Sequence, residues 1–166
     1  DSVHISFLLG EQLEASNWIE EPNLICGTAS EERFPKEATT EIVVGPGELR
    51  IDETKIFDLP TKILPGTKIL LSGGASLVFQ NRVEMLGTEQ EPVFFLPDVG
   101  SVDSSWGVVA VIGPNTAKSV LRNVQISGGG ASRIEDIEFL GMLSIHNSRN
   151  FLLEQVELFG NRDGDD

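Results

Sequence analysis

Cysteine is nearly absent: with Cys26 alone the chain closes no internal disulfide and builds no Cys-rich zinc site, so its stability must come from packing. Positive charge is scarce as well. Lys and Arg total 12 against 26 Asp and Glu, a formal net charge of −14, which at long range repels DNA and anionic membrane surfaces and removes nucleic acid from the expected partners. Long apolar runs are missing. Stretches such as Ile69 to Leu71 and Val108 to Ile112 are far shorter than the roughly 20 residues that cross a bilayer, so no membrane-spanning segment is expected. No charged-then-apolar leader precedes them, and the chain opens at Asp1 without methionine, which reads as a processed protein or an excised piece. Helical periodicity is confined to the first stretch, where Leu9, Leu13, Trp18 and Ile19 could share one face of a short helix.

What is present is enough apolar residue, 40% of 166, for one domain with a sizeable core. From Thr40 onward, short runs of β-branched and aliphatic residues end in Gly, Pro, Asn or Asp, the mark of many short strands. The runs predict strands near 41–44, 48–51, 68–71, 76–79, 82–86, 92–96, 106–112, 119–126, 141–146 and 150–158.

These strands repeat. Leu121, Val124, Ile126 and Gly128 recur as Leu153, Val156, Leu158 and Gly160, each 32 positions later, and Gly107, Val109 and Val111 recur as Gly141, Leu143 and Ile145, each 34 later. Earlier, Leu49 and Ile51 precede Ile69 and Leu71 by 20, which precede Val93 and Phe95 by 24. An elastic period of strand-bearing repeats favours a right-handed parallel β-helix, an all-β solenoid whose coils stack at about 4.8 Å. The alternative is an antiparallel sandwich or jelly roll of the same strands. In the solenoid the inward set is Leu77, Phe79, Val83, Met85, Val93, Phe95, Val109, Val111, Leu121, Val124, Ile126, Leu143, Ile145, Val156 and Leu158. Residues 1–39 are then expected to cap the N-terminal end and residues 40–166 to form the coils. With Gly164-Asp165-Asp166 following a strand directly, a parent chain that continues is expected.

Specific runs carry a resemblance. Leu64-Pro65-Gly66-Thr67-Lys68-Ile69-Leu70-Leu71, Gly74-Ala75-Ser76-Leu77-Val78-Phe79 and Leu86-Gly87-Thr88-Glu89-Gln90-Glu91-Pro92-Val93-Phe94-Phe95 resemble the opening coils of bacterial pectin-lyase-like β-helices. Ser105-Trp106-Gly107-Val108-Val109, Gly141-Met142-Leu143-Ser144-Ile145-His146-Asn147 and the run from Gly160 to Asp166 continue the likeness, which covers about Glu41 to Asp166. It is specific for fold and poor for function, because the group includes polysaccharide lyases and hydrolases, adhesins, and β-helices fused to spore-coat-protein-H-like kinase domains. The last are closest in flavour, which implies an accessory or targeting part, bacterial and extracellular or at the cell surface, with catalysis elsewhere.

Aligning the repeats places three loops in one slot of the coil: residues 97–105, residues 127–140 and the tail from Phe159. They would stack Asp98 and Asp103, then Glu135, Asp136 and Glu138, then Asp163, Asp165 and Asp166 along one lateral edge, with Trp106, Arg133, Phe139 and Arg162 beside them. Such a ridge could hold Ca²⁺ through several oxygens or set an acid and a base across a glycosidic bond, with Trp106 as a platform for a sugar ring. Asp163, Asp165 and Asp166, grouped around a Gly, are the expected metal ligands; Trp106, Asp103, Arg133, Glu135 and Asp136 are the expected ligand-binding residues. The plainer reading is that solvated loops of an acidic protein are acidic and that Trp106 fills a corner. Ser144 and His146 share a strand face like a nucleophile and base, yet a coil corner with stacked Asn147 and Asn150 is the better reading, so no catalytic residue is assigned. Gly128-Gly129-Gly130 lacks the spacing for phosphate binding, His4 stands alone, and Cys26 reads as an ordinary small residue.

The expected function is therefore a non-catalytic extracellular domain whose lateral acidic face binds carbohydrate or a further domain of the same protein. A fragment of a polysaccharide lyase or glycoside hydrolase and a purely structural spacer are the alternatives.

Overall fold

The computed structural model describes residues 41–98 and 105–162. Its strands form where β-branched and aliphatic residues run together, and they break where Gly, Pro or Asn takes a turn conformation. In chain order come β1 (Ile42–Val44), β2 (Gly47–Ile51) and β3 (Lys55–Phe57), then β4 (Thr61–Ile63), β5 (Thr67–Leu71) and β6 (Leu77–Phe79), then β7 (Val83–Leu86), β8 (Val93–Pro97) and β9 (Val109–Ile112). A single 3₁₀ turn at Pro114–Thr116 leads into β10 (Val120–Ser127). A hairpin of β11 (Ser132–Ile134) and β12 (Ile137–Phe139) follows, and β13 (Leu143–His146) and β14 (Leu152–Phe159) complete the described chain. Among the described residues there is no α-helix.

Each round of chain lays its strands beside those of the round before. β1, β4, β7 and the first half of β10 form one parallel row, β2, β5, β8 and the second half of β10 form another, and β14 runs along the whole of β10. A separate sheet, in the order β13-β9-β6-β3, is parallel throughout. The fold is all-β and mostly parallel. Only the β11–β12 hairpin is antiparallel among the described residues, which rules out the sandwich alternative there.

Register explains the repeats seen in the sequence. Leu121 pairs with Leu153, Val124 with Val156 and Ile126 with Leu158, while Val109 pairs with Leu143 and Val111 with Ile145, so the spacings of 32 and 34 are true registers. The spacing of 20 between Leu49 and Ile69 is one too. The spacing of 24 is corrected: Ile69 pairs with Phe95 and not with Val93. A shift of two residues is one full strand period, so it keeps every side chain on its face and leaves the apolar pattern unchanged.

The interior is a set of apolar columns. Met85 and Leu121 are fully buried one above the other, as are Val93 and Val124, and Phe57 stacks on Phe79 with ring centroids 4.8 Å apart at 14°. Paired positions in successive parallel strands repeat at about this spacing, which is why equivalent rings meet face to face. Polar atoms inside are bonded: Ser119 donates to the Thr116 carbonyl at 2.6 Å and accepts from the Val83 amide at 2.9 Å, and Ser76 accepts from the Val108 amide at 3.1 Å.

Several expectations change. β3, β4, β11 and β12 were not expected as strands, and the run expected at 106–112 forms a strand only from Val109, Trp106 making one isolated bridge to Gly129. Leu158, expected inward, keeps the inward register but is 51% exposed, because β14 is the outermost described layer on its side. The expected cap, residues 1–39, lies outside the described residues.

Candidate functional site

The three loops expected to stack do leave their sheets at stacked positions. A Cβ built on Gly128 would lie 3.1 Å from the Pro97 ring, and one on Gly160 would lie 3.9 Å from the Gly128 nitrogen. Beyond that point the middle loop departs from the expected ridge. It turns back as the β11–β12 hairpin, and Phe139 and Ile134 pack on Val78, Val108 and Ala110, the outer side of the β13-β9-β6-β3 sheet. Arg133, Glu135 and Asp136 are therefore exposed on a hairpin over that sheet, and Phe139 is buried beneath it.

Trp106 is 0% exposed, and its indole N–H donates to the Ser127 carbonyl at 2.8 Å. A ring so enclosed fills the corner and offers no face to a sugar. A Cβ on Gly129 would fall 2.7 Å from that ring, so only glycine lets the loop close over it. Asp98 lies 3.5 Å from Arg50 in an ion pair. Asp103, Asp163, Asp165 and Asp166 lie outside the described residues. Among the described residues no three His, Cys, Asp or Glu side chains come together in a way that could hold a metal ion.

Ser144 and His146 do meet, Oγ to Nε2 at 2.8 Å, with the imidazole edge-on to Phe139 at 5.8 Å. Among the described residues no carboxylate bonds the ring, and His146 is exposed, so the pair lacks the orienting third group of a nucleophilic triad.

Two open grooves lie elsewhere on the surface of the described residues. The first, about 310 Å³, is lined by Glu89, Pro92, Asn123, Gln125, Gln155 and Glu157. It arises from an irregularity in the stack. β10 passes through the corner between the two rows with a single left-handed residue, Asn123 (φ 46), and β14 does the same with Gln155 (φ 52) at the equivalent register position. In the preceding round the same corner is a loop, residues 87–92 between β7 and β8, which projects Glu89 and Pro92 beside the bend. The Asn123 amide donates to the Gly87 carbonyl at 3.1 Å and joins loop to bend.

Four of the groove's polar groups are uncommitted. Among the described residues Glu89, Gln125, Gln155 and Glu157 make no side-chain hydrogen bond or ion pair, and Gln125 is half-buried in the groove while the other three stand exposed. The second groove, about 460 Å³, is lined by Glu41, Pro60, Thr61, Asn81, Arg82, Glu84, Asn115 and Ala117. It is larger, but Asn81 already donates to the Asp58 carbonyl at 3.1 Å and Arg82 is paired with Glu84. Polar groups that satisfy one another gain less from a ligand than groups bonded only to water. The first groove is therefore the better candidate.

Apart from both, the Lys55 ammonium bonds Glu53 at 2.5 Å and holds that carboxyl below its ordinary range, first by the hydrogen bond and then by its charge. Glu53 is fully exposed and far along the chain from the groove.

Sequence reasoning missed the groove because its residues come from a loop, two bends and two outward strand positions, none in a motif. One signal was there: β7 pairs with β10 at a spacing of 36 (Glu84 with Val120), whereas β8 pairs with it at 31 (Val93 with Val124), and the difference of five marks the loop. No family model, curated protein or solved structure matches the chain.

Proposed function

We propose that the chain is a right-handed parallel β-helix of the pectin-lyase-like kind that works outside the cell as a non-catalytic carbohydrate-binding module, with the groove at the Asn123–Gln155 corner as its sugar-facing surface. Right-handedness rests on the strand, crossover and parallel-strand connections, which take that hand in nearly every known case. One observation carries the functional reading: four uncommitted amide and carboxylate side chains converge in an open groove of about 310 Å³. Sugar hydroxyls both donate and accept, and so does the amide of Gln125 or Gln155, while the two carboxylates accept only. The groove volume sits at the low end of the range for ligand sites, about 300 to 1,000 Å³, which suits a few sugar rings laid across an edge.

A hydrolytic reading is weaker on the same geometry. Glycoside hydrolysis is served by a carboxyl enclosed away from water, and Glu89 and Glu157 are both exposed. Titration calorimetry of the 166-residue chain with neutral oligosaccharides tests the proposal. Binding that weakens about tenfold in Gln125→Ala, as expected for the loss of two charge-free hydrogen bonds in a half-buried position, supports it. Binding unchanged by that substitution, or no binding by any oligosaccharide, overturns it.

A further inference from the structure

We infer that the groove selects glycans bearing protonated amines, such as de-N-acetylated hexosamine chains, over glycans bearing carboxylates. The inference rests on the carbohydrate-binding reading and adds the charge class of the sugar. Its basis is the distribution of charge around the groove. Among the described residues Glu89 and Glu157 line it, and no Lys or Arg does. The cations nearest in the stack are taken or distant. Arg122, on the adjoining row, is bound to Glu154 at 2.6 Å. Along the outward column that holds Gln125, register places Glu157 on one side and Phe94 on the other, and Lys68 comes only after Phe94. Lys68 is thus two strand spacings from Gln125, about 10 Å, which is a full Debye length at 0.1 M salt.

A uronate laid in this groove would bring its carboxylate beside two others with no counter-charge at hand, and its water would be lost without replacement. An amine there meets the reverse situation. Its three N–H donors find two carboxylates and the amide oxygens of Gln125 and Gln155, all of them acceptors that hold no intramolecular donor among the described residues. Selection between charge classes therefore falls on Glu89 and Glu157.

The experiment compares three hexasaccharides against the full chain at about 0.1 M salt and mildly acidic pH, by calorimetry: a glucosamine oligomer, its N-acetylated counterpart and an oligogalacturonate. The expected order is glucosamine tightest, about tenfold tighter than the N-acetyl form, and galacturonate weakest, the tenfold being the yield of two exposed charge contacts. In the Glu89→Gln/Glu157→Gln double variant the glucosamine and N-acetyl forms should bind alike, and circular dichroism should match the parent because both side chains are exposed. Equal binding of the amine and N-acetyl forms by the parent overturns the inference while leaving the carbohydrate-binding reading standing. A preference that persists in the double variant also overturns it, by assigning the effect to the chain's net charge of −14 and not to the groove. Failure of all three to bind overturns the carbohydrate-binding reading itself.

Discussion

Gly87 shows how much can turn on one missing methyl group. A Cβ at this position would lie 2.3 Å from the Asn123 carbonyl oxygen and 2.9 Å from the Val93 nitrogen, both backbone atoms that cannot rotate away. Gly87→Ala should therefore force the 87–92 loop away from the bend at Asn123, with a loss of about 2 kcal/mol or more in a urea titration. Because the groove lies between that loop and that bend, the sugar binding proposed for it should fall in the same variant; retention of stability would contradict the packing described. Asn123 and Gln155 illustrate the converse, a conformation tolerated with a side chain present. Asparagine reaches the left-handed region at low cost and here also gains a hydrogen bond to Gly87, whereas Gln155 holds the same conformation by its register with the strand beneath.

At the scale of elements, β10 is the strand on which the others depend, since it joins both rows and carries β14. Val124 lies in its centre, fully buried between Val93 and Val156. Val124→Asp should abolish cooperative folding, because an unpaired carboxylate among apolar columns costs several kcal/mol, comparable to the whole stability of a domain this size. A calorimetric melting transition unchanged in that variant would sink the inward assignment. The β11–β12 hairpin is a different case, an attachment to the stack. Removing its anchor with Phe139→Ala should cost about 3 kcal/mol locally and raise amide exchange through residues 132–139, while protection in β7 to β10 persists. β3 and β4 went unread in the sequence for a physical reason at this same scale. Lys55-Ile56-Phe57 and Thr61-Lys62-Ile63 are each three residues long and together half polar, too short for alternation to register, and they become strands only because β6 and β7 lie alongside.

For the whole molecule, a parallel sheet should lose protection from its outermost strand inward. Leu153 and Leu158 on β14 are about half exposed while their partners Leu121 and Ile126 are fully buried, so in hydrogen exchange of this chain the amides of β14 should open well before those of β10. Uniform protection across both strands would mean that the last layer is covered in solution. The sequence by itself determined the all-β class, the parallel pairing of distant segments and most of the inward set, because stacking like on like writes the same apolar alternation into each round at a readable spacing. It also determined the formal net charge of −14. Tertiary structure alone decided the rest. Whether Ile69 faces Val93 or Phe95 depends on a two-residue shift that leaves every face unchanged, and whether Trp106 is a platform or a filler depends on a loop closing over it at Gly129. The groove likewise exists only because a loop in one round meets a one-residue bend in the next. Each of these is a relation between segments some thirty residues apart, and pattern along the chain records which residues avoid water but not which of them meet.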